Sequence, residues 1–384
     1  MTKICCCFNN LSSYRETIYT AMDREFDIDW YIEDSDEGVK EFDAAKLKSV
    51  RHLHRVPLKG FYWVKGMLSL LRKDYDTYLM LGATRNLTLY VFLALKCLFF
   101  RKKRVLSWTH GYYGKESKLN IALLKRPMFK MFDGSFVYGN YARDLMIKDG
   151  HNPDTLWTIH NSLAYDEQLA LRRQMQPSDI YKKHFGNDNP VMIFLGRLTP
   201  VKKLDQAIEA LAKLRDKGEQ YNFVFVGDGS ERKSLENLAE SLEVKEQVWF
   251  YGACYDERQN AELVYNADLC VAPGNIGLTA MHTMMFGCPA ITHGDFKWQM
   301  PEFEAIHPHT TGCFFKRDDV TDLAEKISMW FTVNKGERDA VRQACYKEID
   351  TQWNPYFQME VLRKHLKGAG KTVTQIDKSD IGRE

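Results

Sequence analysis

The stretch VMIFLGRLTPVKKLDQAIEAL, starting at Val191, places two cations at a turn that can bind phosphate. A buried-strand pattern runs into Gly196 and Arg197, a short loop carries Lys202, and an amphipathic helix follows from about Asp205. Gly196 allows a sharp turn at the strand's end, and two cations beside the free N–H groups of a helix start form a diphosphate site. A pair of surface salt bridges is the plainer reading of the same residues. A second such turn is VAPGNIGLTAMHTMMFGCP, from Val271 to Pro289. Gly274, Asn275, Ile276 and Gly277 precede a helix starting near Leu278, and small residues there let the N–H groups of Gly277, Leu278 and Thr279 approach a phosphate. His282 lies one turn in, among Met281, Met284 and Met285. It reads either as a ligand-binding group or as a satisfied core histidine.

The elements that must hold these turns alternate between strand and helix. Strands are expected at Lys3–Phe8, Asp27–Ile32, Tyr78–Leu81, Val105–Thr109 and Ser135–Tyr138, with helices at 14–24, 60–73, 86–100 and from about Tyr141. The pattern restarts at Val191, with Asp205–Lys217 amphipathic through Ala207, Leu211 and Leu214. Strands at Asn222–Val226, Val248–Phe250, Leu269–Ala272 and Pro289–Thr292 follow, with helices at Glu231–Leu242 and Leu278–Phe286. Such alternation implies an α/β protein with parallel sheets covered on both faces. The expected organisation is a Rossmann-like domain over 1–165, a polar linker over 166–189 and a second Rossmann-like domain over 190–340. A C-terminal helix over 341–367 would cross back to the first domain, and a polar tail covers 368–384. Strand ends of the two domains should line a shared cleft.

With 384 residues, 45% hydrophobic and 27% charged, the chain is sized for two globular domains rather than a disordered or fibrous protein. The longest apolar run, 86–100, is interrupted by Lys96 and falls short of the roughly 20 residues a membrane span needs. No signal-peptide pattern is evident at the start. Nine cysteines without metal-ligand spacing read as reduced thiols. Net charge is only +2, but residues 51–130 hold ten Lys and seven Arg against Asp74, Asp76 and Glu116. That basic surface suits a polyanion such as an anionic membrane leaflet. Within it, Leu58–Lys73 reads as an interfacial membrane helix or as a helix packed on its own sheet. No nucleic-acid-binding module is present. Asp34-Ser35-Asp36 has the spacing of a metal-binding D-x-D but reads as a polar turn, since Arg197 and Lys202 already supply positive charge.

Taken together, the motifs resemble the GT-B glycosyltransferases, in particular retaining family four, also called glycosyl transferases group 1. GRLTPVKK, VGDGSERKSL, WFYGAC, YNADLCV, GLTAMHTMMFGCPAIT and MPEFEAIHPHTTGCFFKRDDVTDLAEKI follow that family's order and spacing. SWTHG resembles its His-Gly turn, and His160-Asn161-Ser162 stands where it often has Asn-Gly. The resemblance implies two Rossmann-like domains facing a central cleft. It implies transfer of a sugar from a nucleotide-sugar donor to a glycan or lipid-linked acceptor, with retention, in bacterial surface polysaccharide assembly such as capsule or lipopolysaccharide. No cofactor beyond the nucleotide-sugar is expected and, with Arg197 and Lys202 in its place, no metal; the enzyme would be cytoplasmic, peripheral on the inner face of the plasma membrane through the basic 51–130 surface. Arg197 and Lys202 would stabilise the departing diphosphate, and His110, with Gly111 beside it, would reach the cleft from the first domain. One departure stands out. The family's pair of glutamates, the first on the donor sugar and the second on the ribose, is replaced by Gly274 and His282. Glu302 and Glu304 are the candidates for the missing acid. Two other functions fit the same fold: a nucleotide-sugar epimerase, and a catalytically silent subunit that binds glycan or scaffolds a partner.

Overall fold

The computed structural model describes residues 2–34 and 42–366. Ser35 and Asp36 of the D-x-D, and the tail from 368, lie outside the described residues. The first domain holds β1 (Lys3–Phe8), β2 (Asp27–Glu33), β3 (Val50–Leu53), β4 (Arg55–Leu58), β5 (Phe61–Val64), β6 (Thr77–Leu81), β7 (Arg104–Thr109), β8 (Gly134–Val137) and β9 (Leu156–Thr158). Seven of these form a parallel sheet in the order β3-β2-β1-β6-β7-β8-β9, while β4 and β5 pair as an antiparallel hairpin. The second domain holds β10 (Val191–Leu195), β11 (Asn222–Val226), β12 (Val248–Gly252), β13 (Leu269–Ala272), β14 (Ala290–His293) and β15 (Gly312–Phe315). Its parallel order is β12-β11-β10-β13-β14-β15. The expected α/β architecture of two parallel-sheet domains is the one observed.

Strand periodicity explains the cysteine run at the start. Successive side chains of a strand face opposite sides of the sheet. Cys6 therefore joins one core layer with Ile4, Phe8, Trp30 and Trp108, while Cys5 and Cys7 join the other with Tyr31, Tyr78 and Met80. Burial pushes all three thiols well above their ordinary range.

In both sheets the strand order reverses beside the first strand of the domain: between β1 and β6, and between β10 and β13. Loops leaving neighbouring strands in opposite directions open a crevice at their C-terminal ends, the place where ligands bind in such sheets.

Several contacts fix one domain against the other. The helix Asn140–Lys148 of the first domain begins at Gly139, and the carboxylate of Glu304 accepts from the N–H groups of both Asn140 and Tyr141 at 2.7 Å. Free N–H groups at a helix start favour an anion. A Cβ on Gly139 would stand 2.4 Å from Glu304 Oε1, so only glycine leaves room for this clamp. The helix Arg338–Gln352 packs on the second domain, where Val341, Cys345 and Ile349 enter the core. The helix Pro355–Leu366 then lies on the first domain, with Met359, Leu362 and Leu366 in the Trp30 layer and Arg363 paired with Glu25 at 2.7 Å.

The structure corrects the expected helix over 60–73. Hairpin β4–β5 occupies its first part, and only a short 3-10 turn, Met67–Arg72, follows. Gly60 and Gly66 adopt φ of +79° and +85°, which break any helix there. Met67, Leu70 and Leu71 point into the core, so the segment is not an interfacial membrane helix. Residues 166–189 also carry structure: helices Tyr165–Arg172 and Ile180–Phe185, with Tyr165, Met175 and Tyr181 in the second domain's core. Strands β3, β9 and β15 and the helix Glu257–Asn266 were not anticipated. Among the described residues, no helix is long and apolar enough to cross a membrane.

Candidate functional site

The loop after β10 is built by backbone contact. Gly196 donates to Val226 O at 2.9 Å and Leu198 to Asp228 O at 2.9 Å, continuing the ladder beyond the strands. An ideal Cβ on Gly227 would meet Gly196 O at 1.9 Å, so this register requires glycine at 227. Gly196 itself has φ +146°. The chain then presents Arg197 as an exposed side chain, buries Leu198 and turns through Pro200–Lys202. Lys202 is half-buried and its Nζ donates to Asn275 O at 2.6 Å. Burial pulls its ammonium below the usual range, Glu302 opposes that shift, and Arg197 adds to it. The two cations therefore stand within electrostatic reach of each other.

The loop after β13 locks onto that turn. Gly274 donates to Lys202 O at 2.9 Å and Asn275 to Val201 O at 3.3 Å. Ile276, fully buried, donates its N–H to Gln299 Oε1 at 3.0 Å, and Thr279 Oγ1 donates to Leu195 O at 2.9 Å. Three backbone donors of this loop are thus used within the protein, while Gly277, at φ +55°, carries the chain on through Leu278 into the helix Thr279–Met285. Gly274 has a steric cause: its Cβ would lie 2.2 Å from Val201 O and 2.7 Å from the Lys202 carbonyl carbon. No carboxylate fits there unless the Lys202 turn moves. His282 Nε2 sits 2.8 Å from Glu257 Oε1, which also accepts from Gln168 Nε2 at 2.8 Å. Burial would raise the Glu257 carboxyl, but the His282 and Gln168 contacts hold it below its ordinary value. Glu257 thus brings a carboxylate from another helix, Glu257–Asn266, to His282.

On the facing domain, His110 follows β7. Gly111, at φ +64°, donates to Thr109 Oγ1 at 3.1 Å. Lys125 Nζ ties the loop down by donating to Gly111 O at 2.8 Å and pairing with Glu116 at 2.5 Å. Glu116 in turn accepts from the N–H groups of Tyr113 and Gly114. The His110 ring packs against Tyr138, with centroids 4.7 Å apart, and Tyr113, 5.8 Å apart. Burial, then Arg15 and Lys125, push its pKa down to about 4, so it is a neutral imidazole at pH 7. Its Nδ1 is buried without a partner.

Glu302 joins the two halves. Its Oε1 accepts from Asn161 Nδ2 at 3.1 Å, and its Oε2 is buried without a partner. Burial raises its carboxyl, while the Asn161 bond and the Lys202 charge pull the other way. Tyr113 and Tyr138, which flank His110, feel the same carboxylate. Glu302 thus lies within electrostatic reach of Lys202 and of the tyrosines that flank His110. Glu304 is instead engaged in the interdomain clamp. A cavity of about 350 Å³ opens beside His110, lined by Asn10, Ser12, Arg15, Gly82 and Tyr138. Sequence reading missed Arg15, Glu257 and Gln299. The one visible signal for the first was a polar run, Asn9–Arg15, directly after a buried strand. Asp34 lies 3.4 Å from His52 Nδ1 and 3.5 Å from His54 Nδ1.

Residues 176–348 match the family model of the glycosyl transferases group 1. A putative glycosyltransferase, EpsD, of Bacillus subtilis (strain 168) is 33% identical over 223 residues, 54% of this chain and 57% of that protein. The GDP-mannose-dependent alpha-(1-6)-phosphatidylinositol dimannoside mannosyltransferase of Mycobacterium tuberculosis (strain ATCC 25177 / H37Ra) is 32% identical over 29% of each chain. The aligned part of this chain therefore spans little more than half the length of the first of these relatives, and less of the second. Among solved structures, the lipopolysaccharide outer core galactosyltransferase WaaB superposes with a TM-score of 0.70 at 13% identity, covering 94% of this chain and 98% of that one. The Anabaena protein HepE in complex with UDP gives 0.69 at 17% identity, covering 95% and 99%. The chain therefore has the GT-B fold, and its second domain carries the sequence pattern of the glycosyl transferases group 1.

Proposed function

We propose that this protein transfers a sugar from a nucleotide-sugar to a hydroxyl of a glycan or lipid-linked acceptor, with retention and without a metal. The observation that carries this reading is the turn at the strand-order reversal of the second sheet, where Lys202 Nζ donates to Asn275 O at 2.6 Å beside the exposed Arg197, while neutral His110 of the first domain shares a small cavity with Gln299 of the second. Two cations fixed where negative charge develops stabilise a departing diphosphate and cost no reorganisation during the reaction. Gly277, Leu278 and Thr279 lie at the helix start beside them and would supply backbone donors. Neutral His110 would offer hydrogen bonds to the donor sugar, and Glu302, whose Oε2 is buried without a partner, would be the acid of the site. His282, through its Glu257 partner, would face the ribose. UDP in HepE supports a nucleoside diphosphate on this fold.

The name of WaaB, a lipopolysaccharide outer core galactosyltransferase, supports a bacterial surface polysaccharide such as lipopolysaccharide as the pathway. We place the enzyme on the cytoplasmic face, held at an anionic membrane by the basic 51–130 surface. Leu98, Phe99, Leu119 and Leu123 are exposed within that segment.

A thermal-shift screen against nucleotides and nucleotide-sugars identifies the donor, since a ligand that binds only the folded state raises its stability. With that donor, Arg197→Ala and Lys202→Ala should each lower kcat by about a hundredfold or more, and wild-type turnover should persist in EDTA. Near-wild-type kcat in both variants contradicts the diphosphate role. Activity that is lost in EDTA and restored by Mn²⁺ or Mg²⁺ contradicts the metal-free reading. Donor hydrolysis in the absence of acceptor separates an active enzyme from a silent subunit.

A further inference from the structure

Arg15 is a buried cation without an acid. The residue is 6% exposed and ends the short turn Ser13–Arg15 that follows β1. Its guanidinium carbon lies 4.3 Å from the ring centre of Trp108, 5.2 Å from that of Tyr19 and 5.6 Å from that of Tyr138. No ion pair joins it to another described residue, and its Nε and Nη2 are buried without hydrogen-bond partners. An aromatic cage attracts a guanidinium, and the Tyr19 hydroxyl hydrogen-bonds to it, but no carboxylate balances the charge, and a buried charge without a counter-charge is unfavourable. This arrangement lines the cavity of about 350 Å³ at the β1/β6 reversal, where strand ends of the first sheet form a crevice. His110, with its own unpartnered Nδ1, lines the same cavity. Asn10 and Ser12 lie there too, hydrogen-bonded to each other at 3.2 Å. No Asp or Glu is among its lining residues. The cavity thus offers one cation and several neutral polar groups, a chemistry suited to an anion.

We propose that this cavity takes the acceptor through an anionic group, a carboxylate or a phosphate, held by the fork of Arg15. The planar guanidinium matches either oxyanion with two parallel N–H bonds. The inference rests on the glycosyltransferase reading above. It assigns the acceptor rather than the donor because Arg15 belongs to the first domain, whereas Arg197 and Lys202 stand on the second.

The test is a ligand-detected NMR titration of the full chain with D-glucuronate, D-glucose 6-phosphate and neutral D-glucose, with and without UDP. At least one anion should bind tenfold or more tightly than glucose, and the stronger of the two tells carboxylate from phosphate. Its affinity should fall as salt rises and persist when UDP is bound. Arg15→Met should abolish the preference and Arg15→Lys keep part of it, while both retain UDP binding. Equal binding of the three sugars by wild type, or no binding, overturns the proposal even if Arg15→Met does not fold. Displacement of the anion by UDP overturns the acceptor assignment. Failure of wild type to bind any nucleoside diphosphate would instead sink the donor reading, and the glucuronate and phosphate arms report separately on Arg15.

Discussion

At Gly274 the absence of a side chain holds two loops together, because Val201 O and the Lys202 backbone occupy the space a Cβ would need. The family resemblance marked this position as a missing carboxylate, but only the three-dimensional contact gives the reason. Gly274→Ala should displace the Pro200–Lys202 turn and destabilise the protein by about 1–3 kcal/mol, as overpacking a tight contact does. It should also weaken nucleoside diphosphate binding through Lys202. Unchanged melting temperature and affinity would show that the turn yields without consequence. The roles of Arg15 and Glu257 were not legible in the sequence for a related reason. Arg15 meets Trp108, and Glu257 meets His282, across folds of the chain that no local spacing encodes. Arg197 and Lys202 stood out because they follow a strand in a turn whose composition suits phosphate, and His110 stood out only through the resemblance of SWTHG.

Among the elements, the helix Asn140–Lys148 depends on an acid from the other domain. Its first N–H groups end on Glu304, whose carboxyl is raised by burial and pulled back by the Tyr141 and Asn140 bonds. Glu304→Ala removes this cap, and losing a side-chain cap costs about 0.5–2 kcal/mol. Limited proteolysis should show earlier cleavage between the domains in this variant, and a wild-type digestion pattern would argue that the clamp contributes little. The central strands were readable because parallel strands covered on both faces leave near-continuous apolar runs, whereas the short sheet-edge strands β3, β9 and β15 were not. The misreading at 60–73 came from basic and apolar residues at helix-like spacing. Gly60 and Gly66 outweighed that spacing, and Phe61–Val64 paired with Arg55–Leu58 instead.

For the whole molecule, acid should be destabilising well before the carboxylates titrate. His110, His160, His293 and His365 are each pushed from about 6.5 down to about 4, chiefly by burial. A histidine with a depressed pKa contributes its full stability above the unfolded value. That stability is lost as pH falls from 6.5 towards 4, where the unfolded chain binds the extra proton. Each such group steepens the decline by about 1.4 kcal/mol per pH unit, with His365, which is more open to solvent, contributing least. Melting temperature should be level above pH 7 and drop below 6.5, and a flat profile down to pH 4.5 would contradict this. The basic 51–130 surface makes a second prediction at this scale. The protein should co-sediment with anionic vesicles at low salt and release as salt rises, since charges are screened within about 10 Å at 0.1 M. Equal binding to neutral vesicles would remove the electrostatic account. The central claim is that the second domain's two cations hold a diphosphate, and calorimetric titration of wild type, Arg197→Ala and Lys202→Ala with the nucleoside diphosphate of the identified donor tests it most directly. Each variant should bind at least tenfold more weakly than wild type, a loss of about 1.4 kcal/mol, and wild-type affinity in both variants would contradict the account.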